Sequence, residues 1–150
     1  MRIALCSDEP YPVQAFVRAL LEGRGHQVVP FGAAAHGREA PWADVAEEAA
    51  LSVASGACDQ GVFFCWTGTG VTMAANKVPG VRAALCTDAA TAAGARTWNH
   101  ANVLCLSNRL LSQDVAGEIV AAWLDTPAGP QGAAGVERLA RVDEGHRRRA

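Results

Sequence analysis

The sequence predicts one α/β domain, a Rossmann-like three-layer sandwich with a five-stranded parallel sheet and a C-terminal helical arm. Short apolar runs alternate five times with helical patterns, and parallel strands need such crossover helices on both faces of their sheet. The length of 150 residues fits a single domain with a sizeable core. The Pro/Gly-rich segment TPAGPQG divides the chain into an α/β core, residues 1–126, and a C-terminal arm, residues 127–150.

The first half of the chain contains two predicted strands and two predicted helices. RIALCS (2–7) is a short apolar run, and PVQAFVRALLEGRG (12–25) has the periodicity of an amphipathic helix that ends in glycine. HQVVPF (26–31) is the second strand, and AAAHGRE (33–39) is predicted to be a loop. PWADVAEEAALSVASG (41–56) is predicted to be a helix, because proline lies in its first turn and glycine at its end.

The second half repeats the alternation. Its predicted strands are residues 60–65, 81–86 and 101–106, and its predicted helices are residues 69–77, 88–98, 113–125 and 135–149. Asp88 begins its predicted helix, at the position where a carboxylate caps free backbone N–H groups.

Composition excludes several classes of protein. The formal net charge of −2 gives no attraction to nucleic acid or to an acidic membrane. No apolar run approaches the roughly 18 residues of a spanning helix, and the polar start is unlike a secretory signal. The five cysteines lack metal-binding spacing, so we expect reduced thiols in a cytoplasmic protein without a metal site. Cys6, Cys86 and Cys105 are interpreted as small core residues.

Ligands of such folds bind beyond the carboxyl ends of the strands. One of these ends reads CWTGTG, so that Cys65 precedes a turn with Gly68 and Gly70. Glycines let backbone N–H groups turn towards an oxyanion, and the following helix N-terminus favours a thiolate at Cys65. The alternative is a tight strand–helix turn with a buried cysteine. The dinucleotide-binding pattern fails at Met73, and no Walker-type lysine follows.

Three stretches match the motifs of one known family. CWTGTGVTMAANKVPGVRAALC (65–86) contains a CGTG-type loop, AANK, a glycine turn and an apolar strand. ARTWNHANVLCLSNR (95–109) matches AR-x-HN-x-x-NVL…G-x-R, and SDEP (7–10) stands at an A-D-H-A/G motif. Together they resemble the family of ribose-5-phosphate isomerase B and galactose-6-phosphate isomerase.

The resemblance implies an enzyme that interconverts aldose and ketose phosphates without a metal or cofactor. It implies a homodimer, or a tetramer, with active sites shared between subunits. Cys65 would take the proton beside the carbonyl to give an enediolate. Thr67 would move protons between oxygens, and Asp8 would bind substrate hydroxyls. The loop Gly68–Gly70, with Thr69, would hold the enediolate oxygen.

The resemblance also assigns residues outside the loop. Asn99 matches an asparagine that reaches into the neighbouring subunit's site, and Arg109 and Arg138 match two phosphate-binding arginines. A second arginine of the family's C-terminal arm is missing here. Arg141, three residues beyond Arg138, is a candidate replacement because both could face one anion on a helix.

The departures from the family pattern concern the pocket. Glu9 stands where the family has a histidine, and Trp66 where it has a glycine. Trp98 stands where the family has its ring-opening histidine, and Trp42 lies at a further pocket position. Two alternatives stay open for His100: it replaces the missing histidine, or it is solvated while Trp98 packs in a dimer interface.

Two classes of function remain open after these departures. Because the proton-transfer residues are kept and the ring-opening histidine is lost, the first is an isomerase for an altered or open-chain sugar phosphate, such as a tetrulose phosphate. The ribose 5-phosphate type of substrate is the family's own. The second class is a non-catalytic relative that binds a sugar phosphate or another metabolite.

Overall fold

The computed structural model describes residues 1–147, so the last three residues of the predicted arm lie outside the described residues. The strands are β1 Arg2–Ser7, β2 Gln27–Gly32, β3 Gln60–Cys65, β4 Ala83–Leu85 and β5 Val103–Ser107. The α-helices are α1 Pro12–Gly23, α2 Ala33–His36, α3 Trp42–Ala54, α4 Thr69–Ala75, α5 Ala89–Asn99, α6 Gln113–Asp125 and α7 Ala133–Arg147. A 3₁₀ turn, Pro130–Gly132, precedes α7.

The sheet confirms the predicted fold class. Its five strands are all parallel and follow the order β2-β1-β3-β5-β4. The chain moves from β1 outward to β2 on one side. It then crosses to β3 on the other side of β1, continues to β4 at the far edge and returns to β5 between β3 and β4. The strand order therefore reverses between β1 and β3, and the carboxyl ends of these two strands flank the crevice where such sheets bind ligands.

Hydrophobic residues alternate between the two faces of the sheet. Leu5, Phe64 and Leu106 point to a core cluster that α1, α5 and α6 cover and that includes the buried Trp123 of α6. Cys6 and Phe63 point to the opposite cluster, which α3 and α4 cover. This period of two is what places helices on both faces, and it produces the three layers.

The interpretation of three cysteines as core residues agrees with their burial. Cys6, Cys86 and Cys105 are at most 1% exposed. Burial raises the pKa of Cys86 to about 11 and that of Cys105 to about 12, and it holds the pKa of Cys6 well above its ordinary value. These three thiols therefore stay protonated at neutral pH.

The prediction of a loop over residues 33–39 was wrong. Residues Ala33–His36 form a short helix, α2, between Gly32 at φ 57° and Gly37 at φ 68°. Two glycines with positive φ, of which Gly37 is in the left-handed helical conformation, let the chain enter and leave one helical turn within a few residues. Elsewhere the differences are at element ends: β4 is shorter than predicted, and α7 begins two residues earlier.

The arm folds back on the core. α7 and the 3₁₀ turn both pack against α5. The division of the chain at residues 126 and 127 stays a prediction. Within residues 1–147, none of the helices is both long and apolar enough to cross a membrane.

Candidate active site

Cys65 ends β3 and lines a cavity of about 330 Å³ at the carboxyl edge of the sheet. Its residue is 5% exposed, so the thiol is shielded but accessible from the cavity. The other lining residues are Asp8, Trp42, Trp66, Thr67, Thr69, Gly70 and Met73. Six of the predicted site residues therefore meet in one chain, around one thiol.

The glycine loop needs its glycines for two different reasons. Gly68 has φ 77°, and a Cβ there would lie 2.5 Å from Leu85 Cδ1. At Gly70 a Cβ would lie 3.1 Å from the ring of Trp42. α4 begins at Thr69, so the first N–H groups after the loop have no partner within the helix. The loop thus brings free backbone donors close to the cavity.

Two hydroxyl groups face each other on this loop. Thr67 Oγ1 lies 2.6 Å from Thr69 Oγ1, and both residues are exposed and line the cavity. Either oxygen can donate to the other. A proton can therefore pass from one hydroxyl to the other next to Cys65.

Asp8 supplies the carboxyl group of the cavity. The residue is 8% exposed, and its Oδ1 has no hydrogen-bond partner among the described residues. Burial raises the pKa of Asp8 above its ordinary value, and the charges of Glu9 and Glu39 add to this effect. Half-buried Glu9 follows it in the same loop. The site therefore holds an acceptor oxygen that the protein itself does not use.

Arg109 lies beside the cavity on the loop after β5. Its backbone N–H donates to the carbonyl of Trp66 at 3.2 Å, and its guanidinium carbon lies 5.9 Å from the centre of the Trp66 ring. The ring of Tyr11 also packs against Trp66, with ring centroids 5.8 Å apart and the planes tilted by 45°. Trp66, 49% exposed, thus links the cysteine loop to the predicted anion-binding arginine.

The other five predicted site residues lie at the opposite edge of the sheet. They are Trp98, Asn99, His100, Arg138 and Arg141. α5 starts beyond the carboxyl end of β4 and runs back to the start of β5, a length of about 16 Å at 1.5 Å per residue. One chain therefore does not bring these residues to Cys65, and a single shared site needs a second copy of the chain.

His100 is engaged with the backbone rather than solvated. It ends α5 in a left-handed conformation, with φ 45°. Its Nε2 lies 2.6 Å from the carbonyl oxygen of Gly129, and its carbonyl accepts from Arg82 Nε at 2.9 Å. Gly132 packs so closely that a Cβ there would lie 2.8 Å from the imidazole. In this chain His100 joins the end of α5 to the segment before the arm.

Arg138 and Arg141 of α7 are exposed. Arg141 pairs with Glu137 across one helical turn at 3.3 Å, a solvated contact of small energetic weight. Trp98, at 58% exposed, lies on the same side of the molecule. These side chains are therefore available to a partner surface.

Sequence reasoning assigned no role to three polar residues beneath the site: Ser7, Gln14 and Asn108, all at least nine-tenths buried. Gln14 Nε2 donates to Ser7 Oγ at 2.7 Å and to Asn108 Oδ1 at 3.0 Å. The available signal was the glutamine on the apolar face of the first predicted helix. Met73, a further residue of the cavity wall, was noted only as a break in a glycine pattern.

Known proteins resemble this chain along most of its length. A family model described as ribose/galactose isomerase matches residues 3–142. D-erythrulose-4-phosphate isomerase of Pectobacterium atrosepticum is 37% identical over 105 residues, covering 70% of this chain and 69% of that protein. Ribose-5-phosphate isomerase B of Escherichia coli is 34% identical over 119 residues, covering 79% of each.

The solved structures agree with this assignment. Ribose-5-phosphate isomerase B of Clostridium thermocellum superposes with a TM-score of 0.91 at 36% identity, covering 97% of this chain and 99% of that one. The match thus includes the sheet, the cysteine loop and the arm. The chain belongs to the ribose/galactose isomerase family of sugar-phosphate isomerases.

Proposed function

We propose that this protein is an aldose–ketose isomerase whose preferred substrate is an open-chain tetrulose phosphate, with Cys65 as the carbon base. The single observation that carries the proposal is the wall of the Cys65 cavity. It keeps a thiol, a carboxyl group and a hydroxyl pair for proton transfer, while two tryptophan rings line it, and Trp98 stands at the α5 position of the family's ring-opening histidine.

The proposed reaction is redox-neutral within the substrate. The thiolate of Cys65 removes a proton from the carbon beside the carbonyl, and the electron pair of the C–H bond forms the enediolate. The thiol then returns the proton to the neighbouring carbon. A proton must also pass between the two oxygens of the enediolate, and the hydroxyl of Thr67 would carry it. Thr69 Oγ1, 2.6 Å from Thr67 Oγ1, would be the hydrogen-bond partner of this hydroxyl.

The developing negative oxygen would be stabilised by the backbone of the loop Gly68–Gly70. The N–H groups at the start of α4 lack helical partners, and donors that are already oriented need little reorganisation during the reaction. Asp8 Oδ1 would accept from a substrate hydroxyl. This bond would give a buried acceptor the partner that the described residues do not provide.

The phosphate would be held by arginines from two copies of the chain. Arg109 lies beside the cavity, whereas exposed Arg138 and Arg141 lie with Asn99 at the other edge of the sheet. A homodimer in which the arm and α5 of one copy cover the Cys65 cavity of the other would unite them. Guanidinium groups suit this role because their forked donors match phosphate oxygens.

The choice of a short substrate follows from two features. A tetrulose phosphate cannot close a stable sugar ring, so it needs no ring-opening histidine. Trp66 and Trp42 bring bulky rings to the cavity, and each aromatic side chain occupies on the order of 150–250 Å² of surface. The name of the Pectobacterium relative, D-erythrulose-4-phosphate isomerase, is consistent with this choice.

The experiment is solvent deuterium wash-in at the carbon beside the carbonyl, followed by NMR over tetrulose, pentose and hexose substrates with and without phosphate. We expect incorporation with a tetrulose phosphate, and none above background for the Cys65→Ser variant. Binding of these sugars without wash-in or interconversion would support the non-catalytic alternative instead.

A further inference from the structure

A buried amide beneath the cavity joins the two loops on either side of the cysteine strand. Gln14, on α1, is 5% exposed. Its Nε2 donates to Ser7 Oγ at 2.7 Å, to the carbonyl of Glu9 at 2.8 Å and to Asn108 Oδ1 at 3.0 Å. Ser7 ends β1 and Asn108 follows β5, and these strands flank β3. Gln14 therefore fixes the loop of Asp8 relative to the loop of Arg109.

These contacts also fix which way the amide of Asn108 faces. The nitrogen of Gln14 must be the atom that faces the carbonyl of Glu9, because a backbone carbonyl can only accept, and its two hydrogens are shared among the three contacts. The atom of Asn108 that faces Gln14 must then be the carbonyl oxygen. The NH₂ group of Asn108 consequently points away from Gln14.

That NH₂ group is left without a partner. Asn108 Nδ2 and Asp8 Oδ1 are the two buried side-chain polar atoms for which residues 1–147 provide no hydrogen bond. The two residues are 7% and 8% exposed. An unpaired buried amide or carboxyl lowers stability, so a natural core rarely keeps one without a use. Here one atom is a donor and the other is an acceptor.

Both residues belong to the surroundings of Cys65. Asp8 lines the cavity of about 330 Å³ with the thiol. The backbone N–H of Asn108 donates to the carbonyl of Cys65 at 2.9 Å, and the next residue is Arg109. A donor and an acceptor that the fold leaves free thus lie on the two loops that border the cysteine strand.

We infer that Asn108 is a substrate-binding residue: its Nδ2 donates to an oxygen of the sugar chain, next to the hydroxyl that Asp8 Oδ1 accepts, while Gln14 acts as a positioning residue for Asn108. The inference rests on the proposed function. It adds a contact to the carbon chain of the substrate, as distinct from its phosphate. Affinity for the sugar part therefore depends on Asn108, and affinity for a bare anion does not.

The test measures dissociation constants by titration calorimetry in the Cys65→Ser background, which prevents turnover. The probes are D-erythrulose 4-phosphate, the pentulose and hexulose phosphates, and inorganic phosphate as the anion alone. Asn108→Ala should raise the dissociation constant of the tightest-binding sugar phosphate by about 10- to 100-fold, and it should change that of inorganic phosphate by less than about twofold. Asn108→Asp keeps Oδ1 as the acceptor for Gln14 but replaces the NH₂ donor by a second oxygen. It should lose at least as much affinity for the sugar phosphate.

Gln14→Leu tests positioning, because it removes the contact that orients the amide and leaves Asn108 in place. It should also weaken the binding of sugar phosphates and leave the binding of inorganic phosphate unchanged. Thermal melts confirm that each variant is folded. If Asn108→Ala and its parent bind the sugar phosphate with equal affinity, the inference about Asn108 is overturned while the proposed function stands. Equal losses for sugar phosphate and for inorganic phosphate overturn it too, because they assign Asn108 to the anion. If the parent binds no sugar phosphate, the proposed function and the inference both fail.

Discussion

Cys65 is the one cysteine that combines burial with a place on the cavity described here. The thiols of Cys86 and Cys105 are held protonated by burial, with pKa values of about 11 and about 12. Cys65 instead faces Asp8 and the threonine pair across a space that a small molecule can enter. We therefore expect the sulfur atom of Cys65 to be the carbon base.

The first prediction concerns this sulfur. Cys65→Ser should reduce turnover by about 10²-fold or more while the fold remains, because a hydroxyl is too weak an acid to act as the carbon base. Steady-state kinetics and a thermal melt measure the two effects. Cys58→Ser is the control, since Cys58 is buried away from this cavity and should keep its activity per folded protein. Near-full activity of the Cys65 variant would assign the base to another residue.

Asp8 connects function to stability through its protonation. Burial raises its pKa, so the folded state binds this proton more tightly than the unfolded state does. The stabilising effect of the neutral carboxyl is present below the ordinary pKa and is lost as the pH rises through the raised folded value. At neutral pH the buried carboxylate therefore lowers the stability of the protein.

The second prediction follows from this sign. Asp8→Asn should raise the Tm at neutral pH and lose this advantage in acid, since the amide carries no charge at any pH. The same variant should lower kcat/KM by about 10- to 100-fold, because the substrate hydroxyl loses a charged acceptor. Melts between pH 3 and 8 and kinetics at pH 7 measure both. If Asp8→Asn is less stable than the parent at neutral pH, the buried carboxylate of Asp8 does not destabilise the protein and the prediction is contradicted.

At the scale of elements, the caps of α5 and α6 allow a matched comparison. Asp88 caps α5 by accepting from the N–H of Thr91 at 2.7 Å, and Ser112 caps α6 by accepting from Val115 at 3.2 Å. The bond from Thr91 lowers the pKa of Asp88. A carboxylate cap therefore depends on pH, whereas a hydroxyl cap does not.

The third prediction uses this difference. Because the pKa of Asp88 is lowered in the folded state, its cap stabilises the protein fully at a pH above the ordinary pKa of aspartate. This stabilisation is lost as the pH falls through the pKa of Asp88 in the folded state. Asp88→Ala should lower the Tm by a few degrees at pH 7 and by progressively less in strong acid. Ser112→Ala should lower the Tm by a similar amount at every pH. Parallel pH profiles of the two variants would contradict the assigned cap.

The elements also show what a sequence can and cannot predict. The strands at residues 2–7 and 60–65 and the loop at Gly68 follow from local apolar runs and turn chemistry, which neighbouring residues decide. α2 was missed because two glycines fix it in conformations that no apolar period reveals. The contact of His100 with Gly129 joins residues 29 apart, and Gln14 meets Asn108 across 94 residues. Such contacts depend on the packing of the sheet.

At the scale of the whole molecule, the predicted site residues are separated within one chain. Cys65 lies at the carboxyl edge of the sheet, whereas Asn99 and Arg138 lie with α5 and α7 towards the amino edge. Exposed tryptophans accompany both groups, Trp42 and Trp66 at the first and Trp98 at the second. A shared site would cover these rings as it completes the phosphate contacts.

The fourth prediction tests that sharing by complementation. Cys65→Ser and Arg138→Ala should each impair the homodimer, while mixed dimers contain one site with an intact Cys65 from one chain and an intact Arg138 from the other. Equal mixing after subunit exchange should restore about a quarter of the parental activity. The control mixes Cys65→Ser with Thr67→Val, which lie in the same chain's loop and should restore none. No recovery in the first mixture would contradict shared sites.

The proposed function requires that the chain isomerises an open-chain tetrulose phosphate in preference to a cyclic pentose phosphate. The most direct measurement compares kcat/KM for D-erythrulose 4-phosphate with that for ribose 5-phosphate on the same preparation. We predict an advantage of about 10²-fold or more for the tetrulose, because a ring-opening acid–base group contributes on the order of 10²–10⁴ in rate. Turnover of ribose 5-phosphate at about 10⁴ M⁻¹s⁻¹ or more, equal to or above that of the tetrulose, would contradict the account.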